Sequence, residues 1–271
     1  MVKRIVLLFA FASTCLLFGC VNPVDKQAKS NPNEKTGIDT VKMLMDVINN
    51  SDASSMSNMF FDMVSSKLEN NEVIYTCKPN NNYIKVDNIR KNREWQKRAL
   101  MNRLEIQKKQ NKPFVDFLKI LVNNDIRLKY VYEGIAVIDT CQVILSTDDL
   151  KHVLDADGQL TIDHLKTEIK SVQIHLPLQL DELTIWRDYS IVGNNVTYLY
   201  EIDESVASMD YLIENRDVLQ SNIAEQLLGN DNADDSFMHQ AKALGLGMSY
   251  VYFGSITNKR MEIVFKNEEL L

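Results

Sequence analysis

The amino-acid sequence predicts an α+β protein built from two related modules in tandem. The stretch YVYEGIAVIDTCQVILSTDDL, Tyr130–Leu150, is matched without a gap 120 residues later by YVYFGSITNKRMEIVFKNEEL, Tyr250–Leu270. Further upstream, with about three residues of slippage, NEVIYTC at 71–77 parallels NVTYLY at 195–200. The hydrophobic period also switches between two and helical within each copy, which is typical of helices combined with strands.

The first predicted module, residues 38–150, begins with a helix in DTVKMLMDVI from Asp39. Alternating apolar residues from Val73 to Cys77 then predict a half-buried strand. A helical region follows over about 88–124, broken near Pro113, because proline fits the first turn of a helix better than its interior. The segments LKYVY and TCQVILS predict a closing hairpin.

The second predicted module, residues 151–271, repeats this order from the helical stretch DHLKTEIKSV at Asp163. We expect each module to form an antiparallel sheet packed against one or two helices. The sequence DADG at 155–158, which precedes this helical stretch, resembles the start of a calcium loop. The later ligands and the closing glutamate are absent, which favours a plain turn.

The N-terminus, MVKRIVLLFAFASTCLLFGC, predicts an export signal over residues 1–19, since its apolar run is too short for a permanent membrane span. Its Leu17–Cys20 segment resembles the lipobox of bacterial lipoproteins. This resemblance implies that Cys20 receives lipid and becomes the mature N-terminus. A secretory signal with a chance cysteine is the alternative. Residues 20–37 are polar with two prolines, which is typical of a flexible tether.

The lipobox resemblance implies a lipid bilayer as one partner and the cell envelope as the location. No aspartate follows Cys20, which favours an outer-membrane anchor facing the periplasm, with the inner membrane or the cell surface as alternatives. The net charge of -7 argues against nucleic acid as a partner, because the phosphate backbone would be repelled.

Two cysteines, Cys77 and Cys141, remain once Cys15 leaves with the signal and Cys20 is acylated. The second module has about Tyr200 and Met261 at the matching positions, so both cysteines are missing there together. The envelope is oxidising, and we therefore predict a disulfide between them. Two free buried thiols are the alternative.

The two modules differ in charge along their helical segments. Residues 85–112 carry ten Lys or Arg against three acids, whereas residues 205–232 carry five acids against one arginine. Three interpretations remain open: a solvated helix face, docking of one module on the other, or a site for an acidic protein or anionic lipid headgroups with Trp95 as an aromatic anchor. The candidate partner-binding residues are Arg90, Lys91, Arg93, Trp95, Lys97, Arg98 and Arg103.

The sequence shows few of the motifs that indicate an enzyme. It contains no GxSxG, no HExxH and no phosphate-binding glycine loop. The four histidines lack metal-ligand spacing, and the neighbours Asp181 and Glu182 would point in different directions. We therefore predict no enzyme activity, no metal and no cofactor.

The segment LPLQLDELTIWRDYSIVGNNVTYLYEID, 176–203, resembles in rhythm a motif of small bacterial envelope proteins. This resemblance implies fold and compartment and transfers no site residue. Together these features predict a membrane-anchored protein-interaction or envelope-assembly module. An immunity lipoprotein that neutralises a periplasmic toxin and a carrier of a small apolar ligand or lipid are the alternatives.

Overall fold

The computed structural model describes residues 37–50, 60–79, 84–134, 139–228 and 237–270. Contacts divide the chain into two compact units, which separate between Gln159 and Leu160. Each unit contains one β-sheet and several helices, so the predicted α+β class with two related modules is confirmed. The predicted signal peptide, the acylated Cys20 and most of the tether lie outside the described residues.

In the first unit, a four-stranded sheet with the order β1-β2-β3-β4 is accompanied by helices α1 to α5. The described elements, in chain order, are α1 Gly37–Asn50, β1 Phe61–Glu69, β2 Glu72–Pro79, α2 Val86–Lys91, α3 Arg93–Gln110, α4 Lys112–Asn123, β3 Arg127–Glu133, β4 Thr140–Leu145 and α5 Thr147–Asp155.

In the second unit, a five-stranded sheet with the order β5-β6-β7-β8-β9 is accompanied by helices α6 to α9. The described elements are α6 Ile162–Gln173, β5 Leu178–Gln179, β6 Thr184–Val192, β7 Asn195–Ile202, α7 Met209–Glu214, α8 Arg216–Leu228, α9 Phe237–Ala243, β8 Gly247–Gly254, β9 Arg260–Phe265 and a short 3₁₀ turn at Asn267–Glu269.

The helix starts follow local sequence chemistry. Asn111 accepts a hydrogen bond from the Phe114 amide at 3.1 Å, and Pro113 lies in the first turn of α4, as its position predicted. Ser146 starts α5 with a capping box that it forms with Asp149. These caps fix where the chain leaves one element and enters the next.

The sheets differ from the antiparallel expectation in their central pair. Strands β2 and β3 run parallel, as do β7 and β8, whereas the outer pairs β1–β2, β3–β4, β6–β7 and β8–β9 are antiparallel. Parallel neighbours need a long crossover, and the helical segments between β2 and β3 and between β7 and β8 provide it.

The register of the two sheets repeats at the level of single residues. Tyr75 pairs with Tyr130 in one sheet, and Tyr198 pairs with Tyr250 in the other. A β-bulge interrupts β1 between Met63 and Ser65, and an equivalent bulge interrupts β6 between Trp186 and Asp188. The repeat seen in the sequence is therefore a repeat of backbone geometry, including its irregularities.

Aromatic side chains fill one face of the second sheet. Tyr198 stacks on Tyr250 with ring centroids 5.2 Å apart and lies 4.6 Å from the ring of Tyr189. Trp186 is 2% exposed, and its ring lies 5.7 Å from that of Tyr198. Contacts of this kind stabilise a core beyond the area that they bury.

The predicted disulfide between Cys77 and Cys141 is wrong, because both cysteines carry free, buried thiols. Cys77 pairs with Tyr132 on β3, and Tyr132 pairs on its other side with Cys141. One whole strand thus lies between the two cysteines. Neighbouring strands are about 4.8 Å apart, so the Cα atoms are separated by roughly 9 to 10 Å, beyond the reach of a disulfide.

Candidate partner-binding surface

The predicted basic segment forms two consecutive helices, α2 and α3, which meet at Asn92. The Asn92 side chain donates a hydrogen bond to the Asn88 carbonyl at 2.9 Å and thereby ends α2. The second unit repeats this junction, where Asn215 donates to the Tyr211 carbonyl at 2.8 Å. The basic residues are therefore presented on a helix pair that both units build in the same way.

Two of the predicted binding residues are engaged at the start of this pair. Arg90 donates to the carboxylates of Asp87 and Asp139, each at 2.7 Å, and so links α2 to the chain entering β4. Lys91 forms an ion pair with Asp87 at 2.6 Å. These hydrogen bonds from Lys91 and Arg90 lower the pKa of the Asp87 carboxyl.

Lysines of α3 also hold α5 at both of its ends. Lys97 contacts the carboxylate of Asp149, in the first turn of α5, at 2.8 Å. Lys108 donates to the carbonyls of Val153, Leu154 and Ala156 at the other end, with 2.8 Å to Leu154. A cation at a helix C-terminus is favourable because it faces the unpaired carbonyls and the negative end of the helix dipole.

Gln96 and Arg103 lie towards the sheet. Gln96 is 8% exposed, and its side-chain amide donates to the Tyr132 hydroxyl at 3.1 Å. Burial raises the pKa of Tyr132 and of Tyr130, and the charge of Arg103 opposes both rises. Arg103 is half-buried and follows Gln96 by seven residues, or about two helical turns, which places it on the same side of α3.

Three candidates remain, Arg93, Trp95 and Arg98; all three side chains are exposed, and we call them the basic face. Trp95 is 39% exposed, and the Arg98 guanidinium carbon lies 5.4 Å from the centre of its ring. A cation–π contact of this kind is worth about 0.5 to 1 kcal/mol at an exposed site. Within the described part of the chain, neither Arg93 nor Arg98 has an acidic partner within ion-pair distance.

A surface cleft of about 340 Å³ adjoins the basic face between α3 and α5. Arg98, Met101 and Asn102 line one side of it, and His152 lines the other. The carboxylates of Glu94, Glu105 and Asp149 also line the cleft, so its character is mainly polar and charged. Sequence reasoning missed His152 here, because α5 contacts α3 only through residues about 50 positions apart.

The equivalent helices of the second unit expose a different set of side chains: Tyr211, Ile213, Glu214, Asp217 and Val218. The exposed fractions of Tyr211, Ile213 and Val218 are 39%, 40% and 47%. The charge pattern of the sequence indicated the acids of this segment but not these exposed apolar residues. Their signal was available, since Tyr211 and Ile213 flank the buried Leu212 and cannot share its direction on a helix.

The carboxylates that the sequence offered as catalytic or metal-binding candidates have structural roles. Asp181 accepts hydrogen bonds from the amides of Leu183 and Thr184, both at 2.7 Å, and so closes a turn. In the DADG segment, Asp157 accepts from the Gln159 amide at 2.7 Å. Among the described residues, no group of three or more His, Cys, Asp or Glu could hold a metal ion. None of the described helices is long and apolar enough to cross a bilayer.

Comparisons with known proteins give one distant likeness. No family model matches the chain, and no curated protein matches it. A crystal structure of a Pseudomonas aeruginosa protein, named as a putative secreted protein, is similar with 18% identity and a TM-score of 0.34. The similarity covers 40% of this chain and 91% of that one. At this level it carries no conclusion about location or activity.

Proposed function

We propose that this protein is a lipid-anchored component of the bacterial cell envelope that works by binding another protein. The lipobox-like Leu17–Cys20 segment supports the anchor, and the tether that follows supports a folded body held near the membrane. The absence of an aspartate directly after Cys20 supports an outer-membrane anchor facing the periplasm. Two or more acyl chains on Cys20 would hold the protein on the bilayer effectively permanently.

The basic face carries the proposal of protein binding. Most cationic side chains of α2 and α3 form ion pairs or hydrogen bonds within the unit. Those of Arg93 and Arg98 remain exposed at the surface, together with the ring of Trp95. Tryptophan and arginine are the residues most enriched at the energetic centres of protein interfaces. The ring of Trp95 is already oriented by Arg98, so less side-chain entropy is lost when a partner covers it.

The core of the second unit favours a binding surface over a carrier of an apolar ligand. On the sheet of the second unit, Trp186, Tyr189, Tyr198 and Tyr250 contact one another at ring distances of 4.6 to 5.7 Å. Side chains thus occupy the space beside the strands where an apolar ligand would have to lie.

In-cell crosslinking of the full-length protein tests the proposal. The variant Arg93→Glu/Arg98→Glu reverses two charges of the basic face. Lys166→Glu/Lys170→Glu is the matched control, because it reverses two exposed lysines on α6. We expect a discrete captured protein in the wild type and the control that disappears with Arg93→Glu/Arg98→Glu. Capture that persists unchanged in that variant, or no captured protein at all, would contradict the proposal.

A further inference from the structure

The core of the first unit contains three polar atoms that its own side chains leave unbonded. They are the hydroxyl oxygens of Tyr75 and Tyr130 and the side-chain oxygen of Gln96, and each of these residues is less than one tenth exposed. None of the three atoms has a hydrogen-bond partner within the described part of the chain. Since at least about 90% of buried polar groups in folded proteins are hydrogen-bonded, three such atoms in one core need an explanation.

The geometry of the sheet brings the two hydroxyls together. Tyr75 and Tyr130 are register partners on the parallel strands β2 and β3, so both side chains project from the same face. Their ring centres are 5.2 Å apart, with the ring planes tilted by 32°. Two O–H···O bonds that meet at one oxygen atom span up to about 5.6 Å, which is similar to this spacing. One small molecule can therefore contact both hydroxyls.

Gln96 adds an acceptor to the same layer between α3 and the sheet. Its side-chain nitrogen donates to the hydroxyl of Tyr132 at 3.1 Å. Tyr132 follows Tyr130 by two residues on β3, so both tyrosines point to the same face. The amide of Gln96 thus lies on the face that carries the two unbonded hydroxyls.

The second unit shows how the equivalent hydroxyl is bonded within the protein. Tyr198 corresponds to Tyr75, and its hydroxyl lies 3.3 Å from the hydroxyl of Tyr189, within hydrogen-bond distance. Tyr189 pairs with Tyr198 on the neighbouring strand, and in the first unit Ser66 pairs with Tyr75 in this way. The Ser66 hydroxyl donates instead to the Met45 carbonyl at 3.5 Å. The first unit therefore lacks the side chain that bonds this hydroxyl in the second.

We infer that the core of the first unit binds a water molecule that bridges the hydroxyls of Tyr75 and Tyr130. A water oxygen can accept from both hydroxyls, and its two protons remain to be donated, with the oxygen of Gln96 as an acceptor in the same layer. Burial raises the pKa of both tyrosines, so both hydroxyls keep the protons that they donate. An apolar molecule in this place would leave all three atoms unbonded.

A high-resolution crystal structure of the protein tests the inference directly. We expect density for a single oxygen atom within about 2.5 to 3.0 Å of the hydroxyl oxygens of both Tyr75 and Tyr130. The variant Tyr75→Phe/Tyr130→Phe keeps both rings and should lose this density. Hydroxyls without density between them, or density too large for a water molecule, would overturn the inference.

Hydrogen exchange of the native protein measures whether the hydroxyls are bonded in solution. Tyr75→Phe and Tyr130→Phe should each raise the exchange rate of the slowest amides of β2 and β3 by about fivefold or more, because a hydrogen bond is lost. Tyr198→Phe is the matched control. It removes a hydroxyl whose partner is Tyr189 and should accelerate β7 and β8 to a similar extent, with β2 and β3 unchanged. Rates in β2 and β3 that stay constant or fall in both first-unit variants would overturn the inference, since the hydroxyls would then have no partner to lose.

The double variant distinguishes one shared water from two separate partners. When one hydroxyl is removed, a bridging water is held less tightly, so the second removal should accelerate exchange by less than it does alone. We therefore expect the change in Tyr75→Phe/Tyr130→Phe to be smaller than the product of the two single changes. A change equal to that product would overturn the bridge.

Discussion

We expect the stability of the second unit to depend on pH through His175. It follows α6 and is 4% exposed, and burial lowers its pKa from the ordinary 6.5 to about 4. The folded unit therefore binds its proton less readily than the unfolded chain does. The free energy of unfolding is therefore highest above about pH 6.5. It falls as the pH drops from about 6.5 towards 4, because the unfolded chain then binds a proton that the folded unit does not.

The magnitude follows from the two pKa values. A shift from 6.5 to about 4 corresponds to a maximum of about 3 kcal/mol, at about 1.4 kcal/mol per pKa unit. Only part of this is reached at pH 5, where the linkage relation gives a loss of about 2 kcal/mol relative to pH 7.5. This is a measurable fraction of the stability of an ordinary domain.

Urea unfolding followed by Trp186 fluorescence measures this effect, because Trp186 and His175 belong to the same unit. A Trp95→Phe background removes the other tryptophan. We compare His175→Gln with His152→Gln, which changes an exposed histidine of the first unit. The loss between pH 7.5 and 5 should shrink by about 2 kcal/mol in His175→Gln alone. An equal loss in both variants would refute the reasoning.

Three further predictions concern the two free thiols, a pair of glycines with positive φ, and a lysine at a helix C-terminus. In unfolded, unreduced protein, alkylation followed by mass spectrometry should find Cys77 and Cys141 as free thiols, and finding both oxidised would contradict the strand register. Gly158→Ala should lower the free energy of unfolding by about 2 kcal/mol or more, since φ is +67° and the added Cβ would lie 2.7 Å from the Glu105 carbonyl oxygen. Gly193 also has a positive φ, +58°, but open space surrounds it. Gly193→Ala should therefore lower the free energy of unfolding by only about 1 kcal/mol, measured by urea unfolding. Lys108→Met should lower the free energy of unfolding by about 1 to 2 kcal/mol, measured by thermal melting, because the carbonyls at the end of α5 lose their cation. Lys109→Met is the control and should change it little, since Lys109 is exposed.

Local signals in the sequence predicted the elements of this fold well. The alternation around Tyr75, the proline at the start of α4 and the repeat itself each depend on residues close together in the chain or on direct self-comparison. These signals were sufficient for the α+β class and the two modules. They did not show that β2 and β3 are parallel, because that depends on how the crossover helices pack.

Side-chain partners far apart in sequence explain the two main differences at the candidate site. Cys77 and Cys141 share a row of the sheet, but the strand between them could be placed only once the register was known. Lys97 and Lys108 looked like surface charges, yet their partners lie on α5, about 50 residues further along. Sequence reasoning predicted where the positive charge is concentrated, and the tertiary structure decided which cations remain at the surface.

The bulged hairpins β1–β2 and β6–β7 have a consequence for how this chain can change. Both run for 19 residues, 61–79 and 184–202, with the bulge at the same step. An exchange of one hairpin for the other would keep every main-chain pairing position while replacing a cysteine by a tyrosine in the central row. The pairing of the strands is thus independent of many of the side chains that they carry. Each unit can therefore acquire new side chains in this hairpin while its backbone structure stays the same.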